Sequence, residues 1–292
     1  MTISVNAKDL VSVSVGGAIV HPGFPGLPAE PYRLSADGRP FLLPTWGGIV
    51  YNVSVGDSAF GWAADCIHPG ISIKAADDMK NRGLTVFACV GNTAVVMTGR
   101  AQGAKGVVTG KSGRFSEQLI LHFPKSVRKE MSVGDQIVVR SVGIGMLVDG
   151  HPGVTCKSLS PTLFDVLAKR TNNGKMEIGV VATIPSHLVG AGAGLSSDAG
   201  SLHIQSTDRA ALAKAGLDTL RLGDIVAFED TDSRYNHGYL RGAVSIGIVG
   251  QTDGPRAGFG PGVTVLMTAP QGELGCFPAP DANLKTLLNL ED

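Results

Sequence analysis

The residue types most often used in catalysis are concentrated in two short segments, and the first is AADCIHPG at residues 63–70. It brings Asp65, Cys66 and His68 within four positions, and a thiol near an imidazole is the minimum requirement for a thiolate nucleophile. We therefore predict that these three residues act as acid, base or nucleophile. The alternative is a structural turn, in which Asp65 caps the turn and His68 precedes Pro69 in extended backbone.

The second segment is FEDTDSRYNHG at residues 228–238, directly after the apolar strand pattern DIVAF. Side chains two positions apart point to the same side of an extended chain, so Asp230 and Asp232 can meet His237 across the turn at a divalent cation. The sequence thus predicts a metal site at these three residues, with Tyr235 as a catalytic neighbour and no organic cofactor. The alternative is a solvated acidic turn.

Two glycine-rich loops are candidates for ligand binding, VGAGAGLSSDAG at 189–200 and RAGFGPGVT at 256–264. The first is close to the GAGLSS loop with which galactokinase-type kinases hold a nucleotide phosphate, but that loop requires a following helix, and SLHIQST alternates like a strand. A kinase is therefore the weakest hypothesis. The second loop predicts backbone that closes tightly over a site or a neighbouring subunit. From the loops and their flanks we predict these substrate-binding residues: Gly194, Ser196, Ser197, Gln205 and Gly260.

The remaining histidines occur singly along the chain. Lone histidines are more often structural residues than ligands, so none of them is predicted to be functional. Only His187 and His203 lie near a candidate loop.

The composition excludes several functional classes. Lys plus Arg (25) equals Asp plus Glu (25), so the basic surface of a nucleic-acid binder or a membrane-surface protein is missing. The four cysteines have no metal-finger or disulfide spacing. The first residues lack a signal-peptide pattern, and no apolar run approaches the roughly 18 residues of a membrane span. We expect a cytoplasmic homo-oligomer that acts on a small-molecule substrate, without nucleic-acid or membrane partners.

Apolar residues recur mostly with a period of two, which is typical of β-strands. Glycine is abundant at 40 of 292 residues, about twice the usual share of roughly 7%, so many tight turns are expected. Helical patterns are short and few, at 161–170, 207–217 and near 282–289. Nine segments fit the strand pattern: VSVSV (11–15), IVYNVSV (49–55), TVFACV (85–90), TAVVMTG (93–99), QIVVRSV (136–142), EIGVVATI (177–184), DIVAF (224–228), AVSIGIVG (243–250) and VTVLMTA (263–269).

The predicted fold class is mainly β, with two β-rich domains of small-barrel character and a few short helices. A chain of this length exceeds what one core usually organises. The strand pattern is interrupted near Pro152, so we place a β-barrel-like N-terminal domain at 1–150. A β-rich C-terminal domain with two or three short helices follows at 151–292.

Nearly the whole chain resembles a bacterial and archaeal family of similar length known only as a domain of unknown function. The resemblance implies an acidic residue at the position of His68 and histidines at those of Cys66, Gln251 and Phe259. Several possible metal ligands of that family are therefore replaced in this chain, which favours a specialised relative of the family. The similar segments are GGIVYNVSVGDSAFGWAADCIHPGISI, GNTAVVMTGRAQGAKGVVTGKSG, LRLGDIVAFEDTDSRYNHGYLRGAVSIGIVG and AGFGPGVTVLMTA.

A looser similarity is to acetamidase and formamidase-type proteins, β-rich metal-dependent amide hydrolases whose second half also carries a glycine-rich stretch, a Gly-Asp turn and an Asp/His cluster. It implies that Asp230, Asp232 and His237 hold a cation whose bound water attacks a carbonyl. We therefore hypothesise a hydrolase of a small amide, cyclic amide or lactone, with or without a metal and with its site between the two domains. The alternative is a non-enzymatic small-molecule-binding or homo-oligomeric assembly protein, whose polar clusters are subunit contacts.

Overall fold

Because apolar residues alternate along most of the chain, the structure consists mainly of β-strands, as predicted. It is a computed structural model that describes residues 3–23, 32–113, 117–198 and 200–292. In the first half of the chain the strands are β1 (Val13–Ile19), β2 (Arg33–Leu34), β3 (Pro40–Phe41), β4 (Ile71–Lys74), β5 (Thr93–Val96), β6 (Lys105–Lys111), β7 (Leu119–His122) and β8 (Gln136–Ser141), and the helices are α1 (Asp78–Phe87) and α2 (Lys125–Arg128).

Six of these strands close into a barrel in the order β1-β4-β7-β6-β5-β8, with antiparallel pairing between β8 and β1. Closure pairs each strand on both sides and leaves no free edge. The barrel is filled by fully buried apolar side chains, among them Ile71 and Ile73 of β4 and Leu119 and Leu121 of β7. The predicted small-barrel character of the first half is confirmed.

The second half forms a six-stranded sheet of order β12-β14-β15-β16-β13, to which β9 adds through β16, and a three-stranded sheet of order β10-β11-β17. No helix of the described ranges is long and apolar enough to cross a membrane. The strands are β9 (Thr155–Cys156), β10 (Lys169–Asn172), β11 (Lys175–Val180), β12 (Ala182–Ile184), β13 (Leu202–His203), β14 (Ile225–Asp232), β15 (Gly238–Gln251), β16 (Gly262–Ala269) and β17 (Leu274–Pro278), and the helices are α3 (Pro161–Val166), α4 (Arg209–Lys214) and α5 (Leu284–Leu287).

Two of the nine predicted strands are wrong. Residues 85–87 of TVFACV end helix α1, which begins where the Asp77 side chain accepts a hydrogen bond from Lys80 N. Residues 49–55 are irregular, apart from a single bridge at Ile49. The carbonyl groups of this segment accept hydrogen bonds from the buried Arg128 guanidinium instead of from a neighbouring strand.

Backbone hydrogen bonds fix the two halves of the chain against each other. Cys66 N donates to Asp253 O at 3.1 Å, and Thr252 N donates to Ile67 O at 3.0 Å. These bonds hold the 63–70 corner of the first half against the segment that follows β15. The division at residue 150 stays a prediction, with every barrel strand before it and β9 after it.

Candidate functional site

A small cavity lies where the two halves of the chain meet. Trp46 and Cys66 line it from the first half, and residues of the 189–205 segment and of the loop after β15 line it from the second. Its volume is about 60 Å³, well above the roughly 10–15 Å³ that a cavity needs to hold one water molecule. The 63–70 corner and the 189–205 loop therefore meet at one cavity.

A second, larger cavity adjoins the first and shares Leu195 and Ser201 with it. Its volume is about 450 Å³, and its wall includes the polar side chains of Arg82, Glu117 and Ser196. A ligand anchored in the small cavity thus has room to extend into a polar space.

The Asp65 carboxylate is fully buried beside the Arg256 guanidinium. Arg256 Nε lies 3.0 Å from Oδ2 and donates to Oδ1 at 3.2 Å. Gly254 makes room for the carboxylate, because a Cβ there would lie 2.2 Å from Oδ1. Asp65 is therefore a tightly packed partner that holds Arg256 in place.

Cys66 adopts a left-handed backbone conformation with φ of 56°, which is strained for a side chain of this type. Its thiol is buried, and burial, with the neighbouring Asp65 carboxylate, raises its pKa. The thiol is 3.6 Å from Asp65 Oδ1 and 4.0 Å from Phe259 O. These surroundings keep it protonated and disfavour a thiolate nucleophile. The catalytic roles of Asp65, Cys66 and His68 stay predictions.

Hydrogen bonds connect Ser201, Gln251 and His68 in a buried chain. Ser201 Oγ donates to Gln251 Oε1 at 2.9 Å, and Gln251 Nε2 lies 3.0 Å from His68 Nε2. An amide nitrogen only donates, so His68 Nε2 accepts and its proton is on Nδ1, 2.7 Å from Ser72 Oγ. His68 is thus a neutral, fully engaged residue that positions Gln251.

His203 faces the same cavity with a free ring nitrogen. Its Nδ1 donates to Gly260 O at 2.8 Å, because a carbonyl oxygen only accepts. The lone pair of Nε2 therefore remains available, and Nε2 lies 3.4 Å from Ser201 Oγ. Burial lowers the pKa of His203 to about 4 and that of His68 to about 3, so both rings are neutral at neutral pH. Ser201, His203 and the Gly260 carbonyl form a hydroxyl–imidazole–acceptor arrangement.

The local sequence explains why Ser201 and His203 meet. Ser201 directly precedes β13, and side chains at positions i and i+2 of an extended chain share a face. The 189–192 backbone runs antiparallel beside this strand, and His203 N donates to Ala191 O at 2.8 Å. Gly192 has a φ of 106°, and a Cβ there would lie 2.6 Å from Ser201 O. Only glycine brings this loop so close to Ser201.

The five predicted substrate-binding residues have different surroundings. Gly194 and Ser196 line the larger cavity. The Ser197 hydroxyl is buried and donates to backbone carbonyls of the 233–235 turn. Gln205 hydrogen-bonds backbone groups of Asp208 at the start of α4, and Gly260 binds His203 through its carbonyl. Their predicted contacts with substrate stay predictions.

Each of the three predicted metal ligands has its own hydrogen-bond partner. Asp230 Oδ1 accepts from Gly242 N at 2.6 Å, whereas both oxygens of Asp232 bind Arg234. His237 Nδ1 is hydrogen-bonded to a serine hydroxyl. Within the described ranges, no group of three or more His, Cys, Asp or Glu side chains is close enough to hold a metal ion. The geometry therefore gives no support to a metal site at these residues.

The 229–237 segment does not line the small cavity, whose wall includes Cys66 of the 63–70 corner. Asp230 and His237 line a different cavity of about 220 Å³, and the Tyr235 side chain is 79% exposed. The 189–198 loop packs against this segment, since Gly194 N donates to His237 O and Ser197 N to Tyr235 O. The 229–237 segment thus holds the 189–198 loop in place through backbone hydrogen bonds.

Sequence reasoning missed most of the residues around the small cavity. The sequence did contain a signal for the pair Ser201 and His203, because the alternation of SLHIQST places both side chains on one face of a strand. The sequence contained no signal for Gln251, Arg256 and Phe259 beyond the glycines near them, because their partners are 183, 191 and 193 positions away. Of the four positions where the resemblance implied other residues, Cys66, Gln251 and Phe259 line this cavity, and His68 contacts it through its hydrogen bond with Gln251.

Comparisons with known proteins agree with the fold. A solved structure, "Crystal structure of TM1086", is similar to the chain with a TM-score of 0.90 and 38% sequence identity, over 97% of this chain and 98% of its own. None of the curated proteins compared with the chain matches it. The similarity to acetamidase and formamidase-type proteins is shown by none of these comparisons and stays a prediction.

Two family models match consecutive parts of the chain. They are domain of unknown function DUF4438, N-terminal, over residues 32–165, and DUF4438, C-terminal, over residues 166–288. Together they leave only the two ends of the chain unmatched. The chain therefore belongs to the DUF4438 family.

Proposed function

We propose that the protein is a hydrolase of a small acyl compound, an amide, cyclic amide, lactone or ester, in which Ser201 is the nucleophile and His203 the base. One observation carries this proposal. A serine hydroxyl on a cavity wall lies 3.4 Å from the free nitrogen of a histidine whose other nitrogen is held by the Gly260 carbonyl. A nucleophile, a base and a group that orients the base are the parts that nucleophilic acyl transfer requires, and their distances are commonly longer before substrate binds.

The reaction uses these groups in two halves. The Ser201 O–H turns from Gln251 to His203 Nε2, Oγ attacks the carbonyl carbon, and the proton passes to Nε2. His203 then gives this proton to the leaving nitrogen or oxygen as its bond to carbon breaks. In the second half, water attacks the acyl-serine and gives a proton to His203, and Ser201 Oγ recovers it as the acid leaves.

We assign the stabilisation of the developing oxyanion to the backbone N–H of Gly192. Among the described residues, none accepts a hydrogen bond from the backbone N–H of Gly192. Gly192 lines the small cavity and its backbone lies close to that of Ser201. A fixed backbone donor near the nucleophile is the group that stabilises a tetrahedral intermediate.

A mechanism-based label tests the nucleophile without knowledge of the substrate. A small fluorophosphonate should form an adduct on Ser201, located by peptide mass spectrometry, and should not label Ser201→Ala. Ser196 is the matched internal control, because it is exposed in the same loop and a non-selective reagent would reach it first. Labelling of Ser196 with none on Ser201 contradicts the proposal.

Turnover is tested with a panel of short-chain esters, lactones and amides. Ser201→Ala and His203→Gln should each lower kcat/KM by about 10³-fold or more, as expected for members of one catalytic unit. Wild-type turnover that survives in both variants would show that the pair is not catalytic.

A second candidate is a non-enzymatic small-molecule-binding protein, and the resting hydrogen bonds favour it. Ser201 Oγ is 2.9 Å from Gln251 Oε1 but 3.4 Å from His203 Nε2, so its proton is used for structure before any ligand arrives. A protein that binds small ligands but gives neither a Ser201 adduct nor turnover supports this candidate.

A further inference from the structure

We infer that the small cavity takes a substrate whose short acyl chain ends in a carboxylate, and that Arg256 binds this carboxylate. The inference rests on the proposed function, because it assigns the substrate class of the same site. The first observation that supports it is that the Arg256 guanidinium is held in one orientation while some of its N–H groups make no hydrogen bond.

Two kinds of contact hold Arg256. Its Nε is paired with the buried Asp65 carboxylate, and the plane of the guanidinium lies over Phe259 with Cζ 3.7 Å from the ring centroid. Trp46 lies on the cavity wall with its ring centroid 5.5 Å from the same Cζ. A guanidinium fixed in this way loses little conformational entropy when it binds a ligand.

The outer nitrogens of Arg256 are not saturated. Within the described protein Nη1 makes no hydrogen bond, and Nη2 makes one weak contact of 3.9 Å with Cys66 Sγ. The Arg256 side chain is 13% exposed and lines the small cavity together with Ser201 and His203. A cation with free donors beside the proposed nucleophile is suited to an anionic part of the substrate.

Trp46 contributes an aromatic wall and no assigned donor. Its Nε1 edge packs against Gly23, where a Cβ would lie 2.7 Å from Nε1. A guanidinium only donates hydrogen bonds, and a carboxylate only accepts them. The unused donors of a charged group therefore fit a carboxylate better than an amide or a hydroxyl, which would bring donors of their own.

The charges of the site limit how tightly such a ligand binds. The two histidines are neutral, so Asp65 and Arg256 cancel each other, and a carboxylate must share the guanidinium with Asp65. We therefore expect moderate affinity. It also follows that neutralising Asp65 should not weaken carboxylate binding.

The small volume of the cavity, about 60 Å³, favours a short acyl chain. We therefore expect a carboxylate, one or two methylene groups and the scissile carbonyl. The leaving alcohol or amine would extend past Ser201 into the larger cavity. The substrates that fit are monoesters or monoamides of short dicarboxylic acids and small lactones or lactams that bear a carboxylate.

Binding is tested first, by calorimetry with succinate and with the neutral diamide succinamide as the matched control ligand. Succinate should bind wild type and Arg140→Gln equally, since Arg140 is exposed on β8, whereas Arg256→Gln should weaken binding by about 30-fold or more. Because Arg256→Gln leaves Asp65 unpaired, the double variant Asp65→Asn/Arg256→Gln is measured too and should show the same loss. Asp65→Asn alone should bind succinate as tightly as wild type or more tightly. Equal binding of succinamide, or unchanged succinate binding without Arg256, overturns the inference.

Turnover separates the inference from the proposed function. Wild type should hydrolyse monomethyl succinate with a higher kcat/KM than dimethyl succinate, and Arg256→Gln should abolish this preference while both substrates still require Ser201. Serine-dependent hydrolysis with no preference for the charged ester overturns the inference and leaves the proposed function standing. Arg256-dependent binding of succinate without hydrolysis of either ester overturns the proposed function and leaves the carboxylate site standing.

Discussion

Replacing Asp65 by asparagine should destabilise the protein, because it removes one charge of a buried ion pair and keeps the shape of the side chain. Asp65 is fully buried, and the Arg256 side chain is 13% exposed. Removing one partner of such a pair leaves the other charge poorly solvated and without its counter-ion.

The size of the effect follows from the geometry. At the 3.0 Å separation of Arg256 Nε and Asp65 Oδ2, the attraction is about 5 to 6 kcal/mol at an effective dielectric constant of about 20. Asparagine retains an oxygen that accepts from Nε, worth about 1 kcal/mol, and it avoids part of the cost of burying a carboxylate. The cavity also gives the unpaired guanidinium some access to water. We therefore expect the free energy of unfolding to fall by about 3 kcal/mol, at the lower end of the range for broken buried pairs.

Urea unfolding of four variants, Asp65→Asn, Arg256→Met, their double variant and Glu130→Gln, tests this value. Glu130→Gln is the matched control, because it breaks the exposed pair of Arg100 and Glu130, 3.3 Å apart, and should cost less than about 1 kcal/mol. The double variant Asp65→Asn/Arg256→Met should lose less than the sum of its two single variants, since no unpaired charge remains. An Asp65→Asn protein as stable as Glu130→Gln would refute the account of a buried ion pair.

Three further predictions concern buried titratable groups. The free energy of unfolding should fall by about 1.4 kcal/mol per pH unit from His203 alone as the pH drops from about 6.5 to about 4. In this pH range histidine takes up a proton in the unfolded chain, whereas His203 in the folded protein stays neutral. His203→Gln should therefore reduce the slope of unfolding free energy against pH, measured by urea unfolding. Burial lowers the pKa of Lys111 to about 8, so its positive charge destabilises the folded protein at pH 7. Lys111→Met should therefore raise the free energy of unfolding by about 1 to 3 kcal/mol. This gain should shrink as the pH rises from about 8 to about 10.5. Cys66→Ala should leave fluorophosphonate labelling of Ser201 unchanged, whereas loss of labelling with an intact fold would favour the predicted thiol chemistry.

The regular elements of the second half were predictable from local patterns. The alternation of DIVAF and VTVLMTA corresponds to β14 and β16, whose buried residues pack in one sheet. The helix predicted at 161–170 begins at Pro161 as expected, because the Ser160 hydroxyl accepts from Leu163 N. Such elements depend on neighbours within a few residues, which the sequence shows directly.

Elements that depend on distant partners were not predictable in this way. The segment IVYNVSV has the composition of a strand, but Arg128, more than 70 positions later, donates to the carbonyls of Val50 and Val53 and replaces the ladder that a strand would form. Lys111, the last residue of β6, is 1% exposed because it lies against the second half, where its backbone N–H donates to Thr264 Oγ1 at 2.9 Å. Neither arrangement has a local signal.

In the candidate site, too, contacts between residues close in sequence could be predicted and contacts between distant residues could not. The densest acidic segment attracted the metal prediction, yet charges that are close in sequence can satisfy one another locally, as Asp232 does with Arg234. Asp65 in contrast has no basic residue near it in the chain and is buried, so its partner must come from far away, and Arg256 is 191 positions later. A buried charge without a local partner therefore marks the site more reliably than a dense cluster of exposed ones.

The loop at 189–200 illustrates how one departure from a known pattern creates a different chemistry. A phosphate-binding loop of the galactokinase type needs a helix after it, so that backbone N–H groups converge on the anion. Here β13 follows the loop instead. The strand cannot supply that set of donors, but its alternation places the Ser201 hydroxyl and the His203 imidazole side by side on one face, 3.4 Å apart. The strand that argues against phosphate binding is therefore the element that positions the proposed serine nucleophile beside its base.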